Sequence, residues 1–210
     1  SSCIASFEPD RKSSGITSPH NVPSGTTIYS KHKSETICQF RTVYPLTIVP
    51  ATVNEARIYY DNVSSLWKIE VNLAVFEGAK FSLDMVRFYI NGPATVTGII
   101  YTLLCNEVDN IVLQKNDDIL YGVRTDISGA GFYEGEVTLP RTGNVSYIHN
   151  LTLDYFSFPE RFNFIDVKCD SGIELCSGDS FRFVITLKIS AVKYEPDKIE
   201  KHVSEELFRV

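Results

Sequence analysis

The chain has 210 residues, 43% hydrophobic and 22% charged, which is a folded globular mixture and excludes intrinsic disorder. A formal charge of −6 and an isoelectric point near 5.2 argue against nucleic-acid binding, which needs clustered Lys and Arg. No apolar run approaches the roughly 20 residues of a membrane-spanning helix, and at this length a β core forms without needing disulfides.

Residues 1–33 have no periodicity and are punctuated by Pro9, Gly15, Pro19, Pro23 and Gly25, so they read as an irregular N-terminal arm with one short strand over 26–30. The opening Ser1-Ser2-Cys3-Ile4 does not resemble a signal peptide and reads as a mature, trimmed or excised end. A strand is predicted over 35–44. The stretch 46–49, bracketed by Pro45 and Pro50, reads as an edge strand because Pro cannot donate to a ladder. Strands over 55–61 and 66–76 flank the turn Asn62-Val63-Ser64-Ser65 as a β-hairpin. Further strands are predicted over 81–90, 95–104, 111–113, 119–124, 132–139, 145–158 and 162–168.

The strongest pattern runs over 180–194. Phe181, Phe183, Ile185, Leu187, Ile189 and Ala191 alternate with Arg182, Val184, Thr186, Lys188, Ser190 and Val192, one apolar face against one largely polar face. After Pro196, the spacing of Ile199, Val203 and Leu207 predicts a short amphipathic helix over 196–210. About ten short strands, with no βαβ alternation, imply an all-β chain. The expectation is a single antiparallel β-sandwich over 34–195, immunoglobulin-like or jelly-roll, between the arm and the C-terminal helix.

Cys169 and Cys176 flank a short polar stretch and are expected to form a local disulfide, with Cys3 and Cys38 tying the arm to the body and Cys105 a buried free thiol. Sequons begin at Asn62, Asn144 and Asn150. Chance gives about two in such a chain, but Asn62 and Asn144 fall at turn tips where a glycan would fit. Tyr59, Tyr60, Phe132 and Tyr133 are candidate binding aromatics, since adjacent rings on a strand face opposite sides. Tyr155, Phe156 and Phe158 form a dense cluster that must be partly core.

Chemistry is sparse. His20, His32, His149 and His202 stand beside no nucleophile motif, and no Gly-x-Ser-x-Gly elbow occurs, so no enzyme is expected. No cofactor is expected either. Glu107, Asp109, Asp117 and Asp118 are weak calcium candidates, with a second acidic group at Asp170, Glu174 and Asp179.

Together these features predict a non-catalytic, secreted or ectodomain glycoprotein module that binds a protein partner through loops or an exposed sheet face, placed outside the cell or on a cell or virion surface. A viral coat or surface subunit, assembling as a homo-oligomer through the arm and terminal helix, is the structural alternative. A carbohydrate-binding domain is a third reading.

Overall fold

The computed structural model describes residues 2–7, 16–30, 37–133, 136, 138 and 146–210. The described chain is mainly β, in several antiparallel sheets. The pattern at 180–194 forms the middle of the largest one. Strand β12 (Ser180–Leu187) lies between β6 (Leu66–Val75) and β8 (Val108–Lys115). The sheet is completed by β5 (Ala51–Asp61) on one side and the two-residue β9 (Asp118–Ile119) on the other. Phe181, Phe183, Ile185 and Leu187 are buried, as their alternation demands. β5 and β6 form the expected hairpin, with the turn at Asn62–Ser65 tied by hydrogen bonds from Val63 N and Ser64 Oγ to the Asp61 carboxylate.

A second sheet has the order β10 (Thr125–Gly129), β11 (Phe164–Cys176), β7 (Lys80–Ile90) and β13 (Phe208–Arg209). Its inward residues, among them Phe88, Ile165, Val167 and Phe208, share one buried cluster with those of the first sheet. Phe88 stands edge-on to Phe183 across that core, ring centroids 6.0 Å apart. The predicted arm contributes one strand to each of two small ribbons, whose partner strands lie after it. In one, β1 (His20–Val22) pairs with β4 (Leu46–Ile48); in the other, β2 (Thr27–Tyr29) pairs with β3 (Gln39–Arg41).

Several predicted elements take another form; the strand predicted over 119–124 is, after Ile119, the turn between β9 and β10. The stretch 95–104 is helix α1 (Ala94–Asn106), which buries Val96, Thr97, Ile100, Leu103 and Leu104 at helical spacing. The stretch 145–158 holds helix α2 (Tyr147–Ser157). The long strand stops at Leu187 because Glu107 captures the chain. Its carbonyl accepts Lys188 N at 2.7 Å, and its carboxylate accepts the Ser190 hydroxyl and pairs with Lys193. A 3₁₀ segment, Ile189–Tyr194, follows, with Ile189 and Val192 exposed. The C-terminal helix is one turn, α3 (Pro196–Ile199), and β13 then caps the edge of β7. Ile199, Val203 and Leu207 are nevertheless all buried, so their spacing correctly marked a core-facing stripe and misjudged its backbone.

The disulfide expectation is corrected. Cys169 and Cys176 lie seven residues apart on β11, with Cα partners Thr125 and Lys80. An extended strand rises about 3.3 Å per residue, far beyond the ~7 Å limit for a bridge even with the bulge after Lys168. All five cysteines, Cys3 and Cys38 included, are free thiols.

Candidate protein interface

Helix α2 is built inside out. Its buried stripe includes Asn150 and Asp154, four residues apart on one face. A carboxylate there needs a partner, and Arg161, itself buried in the 3₁₀ turn Pro159–Phe162, supplies it. Asp154 also accepts Thr138 N at 3.0 Å and the Thr138 hydroxyl, while Arg161 donates to the carbonyls of Gly131, at 2.8 Å, and Glu136.

From Glu136 the network runs to the outer face of the second sheet. The Glu136 carboxylate accepts Gly131 N at 2.8 Å and pairs with Arg87 at 3.0 Å. Arg87, on β7, grips buried Asp166 of β11 through Nε at 2.6 Å and Nη2 at 2.8 Å, and lies over the Tyr44 ring. Burial opposes the Arg87 charge, but Asp166 and Glu136 outweigh it and raise its pKa. Burial likewise pushes the Tyr44 phenol up.

Because the inner face of α2 is spent on ions, its apolar groups face solvent. Phe156 is 79% exposed and Tyr155 59%, with Ile148 and Leu153 also exposed. Phe162 links this face to its surroundings, its ring 5.9 Å from Tyr155 and 5.0 Å from Phe132; Phe156 stands edge-on to Tyr155 at 5.5 Å. Exposed Phe132 therefore adjoins the same patch, and exposed Tyr133 follows it in the chain. A contiguous aromatic surface on a rigid support has the composition of a protein-binding anchor.

Of the predicted site residues, Phe132 and Tyr133 belong here. Tyr59 and Tyr60 lie on β5, where Arg57 covers Tyr59 and Trp67 stands edge-on to Tyr60 at 5.6 Å. Tyr155 and Phe156 were read as part core and are surface; Ile148 and Leu153 were not singled out. Their signal was helical spacing in a stretch read as strand.

The calcium candidates are dispersed. Glu107 is engaged by Ser190 and Lys193, which hold its carboxyl below the usual range; Asp109 lies near its end of β8, and Asp117 and Asp118 lie at the other. Among the described residues no three His, Cys, Asp or Glu side chains gather. Asn62 is an exposed turn residue, Asn144 lies outside the described residues, and Asn150 is buried in α2 without room for a glycan.

The family described as "Type VI secretion system, TssF" matches residues 1–210. The chain belongs to the TssF family. "Type VI secretion system component TssF1" of Pseudomonas aeruginosa is 20% identical over 201 residues, which cover 87% of this chain and 32% of that protein. A chain of the cryo-electron-microscopy structure of the type VI secretion system TssK-TssF-TssG baseplate subcomplex shares the fold, with a TM-score of 0.76 at 18% identity over 93% of this chain and 37% of that one. The TssF chain described here thus spans about a third of the relatives it matches.

Membership in TssF overturns the secreted or ectodomain glycoprotein, the viral coat subunit and the carbohydrate-binding domain. The extracellular, cell-surface or virion placement falls with them, because the family is a component of a secretion machine. The error began with the sequons, three-residue patterns scarcely above their chance number. The similar solved chain lies in a complex of several proteins. Among the described residues no helix is long and apolar enough to cross a membrane.

Proposed function

We propose that this part of a TssF protein is a non-catalytic contact module of a type VI secretion baseplate, docking through the exposed face of α2 on another subunit of a TssK–TssF–TssG assembly. The carrying observation is the inverted helix, with Asp154 inside and Tyr155 and Phe156 outside. The two larger sheets act as one sandwich that holds this face rigid, and rigidity lowers the entropy cost of binding. The TssF relative's place in a baseplate subcomplex supports the reading.

The test uses full-length TssF carrying Tyr155→Ser and Phe156→Ser, with TssG and TssK from the same system. Truncating an aromatic anchor costs about 2 kcal/mol or more, or roughly 30-fold in affinity. Co-purification of TssG or TssK is expected to fall at least that far with the melting temperature unchanged. Wild-type recovery of both would overturn the reading.

A further inference from the structure

The two large sheets part on one side, between β8 and β10, leaving a cleft of about 520 Å³. Leu104 and Cys105 of α1, Ile111 of β8 and Thr125 and Ile127 of β10 line it, with Lys188 at the rim. β10 is the edge of its sheet, and β9 covers only the far end of β8, pairing with Gln114 and Lys115.

The ladder fixes where the edge groups point. Asp170 N donates to Arg124 O and Ala130 N to Phe164 O, bracketing β10 with hydrogen-bonded pairs. In an antiparallel pair such residues alternate with others whose backbone groups face away, so Thr125, Ile127 and Gly129 turn their N–H and C=O outward. On β8, Asn116 N donates to Ser180 O and Leu113 O accepts from Leu120 N, so Ile111 turns its backbone groups outward too. Beyond the cleft, the Tyr101 hydroxyl of α1 stands against Gly129.

Elsewhere β13 covers the Tyr89–Ile90 end of β7, and the edge strand β5 carries a bulge, Glu55 and Arg57. β10 has no bulge or proline.

We propose that this cleft accepts one extended segment of a different subunit of the assembly, added as a β-strand to β10, with alternate apolar side chains set against Leu104, Ile111 and Ile127. The five residues of β10 match a segment of about 17 Å. The similar solved chain lies in a subcomplex of different proteins, which favours a segment of another subunit over a second copy of this chain. The outer side of the added strand meets a rim of both charges, Asp109 and Asp126 with Arg124 and Lys188. The proposal rests on the reading of the chain as part of a multi-protein assembly.

Residue-resolved hydrogen exchange tests it, with full-length TssF alone and in its TssG- and TssK-containing complex. The expected result is an alternation. Asp126 and Ser128, bonded to β11, exchange slowly in both samples, and Thr125 and Ile127 slow by roughly 100-fold or more only in the complex. A complex in which Thr125 and Ile127 exchange as fast as in the free protein overturns the strand addition and leaves the contact-module reading intact. Protection that grows with the concentration of TssF alone assigns the cleft to a second copy and overturns it equally. Failure of TssF to enter any complex removes the contact-module reading and this proposal together.

Discussion

Asp154 carries a charge where a helix ordinarily buries a leucine, and its stability depends on Arg161 and Thr138. A buried pair adds little net stability over an apolar one, but removing one partner strands the other. Asp154→Ala is therefore expected to destabilise by about 3–5 kcal/mol in denaturant unfolding, because Arg161 is left charged and buried. Asp154→Leu with Arg161→Leu is expected to recover much of that loss; equal losses in the two proteins would contradict the account. Leu187, fully buried on β12, was legible from alternation alone. Leu187→Asp is expected to cost more than ~3 kcal/mol, and a near-neutral unfolding curve would mean that its face is not core. Asp154 and Arg161 were not legible in this way. A charged residue in sequence reads as surface, and only the pair across Pro159 reveals a polar interior.

At the scale of elements, the long strands were legible because residue type alternates through β12 and the sequence of β6, and in β7 on either side of a phase shift at Met85. Helix α1 was masked by its composition. Thr95, Val96, Thr97, Ile99, Ile100 and Thr102 favour strands, yet Val96, Ile100, Leu103 and Leu104 keep the helical period that won. Helix α1 packs against β10, with the Tyr101 hydroxyl against Gly129, where a Cβ would collide with the phenol and press on Phe132. Gly129→Ala is expected to destabilise by about 1–3 kcal/mol, as overpacking does. Tyr101→Phe in the same protein should restore part of it, since the hydroxyl is the nearest obstacle. No rescue in a double-mutant thermal unfolding series would move the cause from this contact to the β10 backbone. This contact lies two residues past Ile127, the last residue of β10 that lines the cleft.

For the molecule as a whole, the two large sheets are joined at one end by a polar cluster centred on one carboxylate, beside a bond from Lys115 Nζ of β8 to Glu174 O of β11 at 2.7 Å. Asp179, between β11 and β12, accepts Cys176 N at 2.7 Å and Asn116 Nδ2 at 2.8 Å and pairs with Lys115 at 3.0 Å; Asn116 in turn accepts Ser180 N. This links the end of β11 in one sheet to β8 and β12 in the other. Loss of solvent works against the ionised form, but the bonds from Asn116, Cys176 and Lys115 outweigh it and hold the carboxyl below its ordinary 3.8. A depressed folded value contributes stability that is fully present above that ordinary value and is lost as pH falls through the folded one. Unfolding midpoints are thus expected to be insensitive to Asp179 titration above about pH 5 and to drop below about pH 4. Asp179→Asn should lower the midpoint at neutral pH and flatten the acid limb, because no proton is then taken up at this site on unfolding. An acid limb as steep as the wild type's would show that other carboxylates govern it and that the sheets are not clamped here. The position of this clamp matters to the cleft as well. Asn116 and Lys115 end β8 at the covered side, so Asp179 fixes one end of the strand whose other end, at Ile111, lines the opening between the sheets.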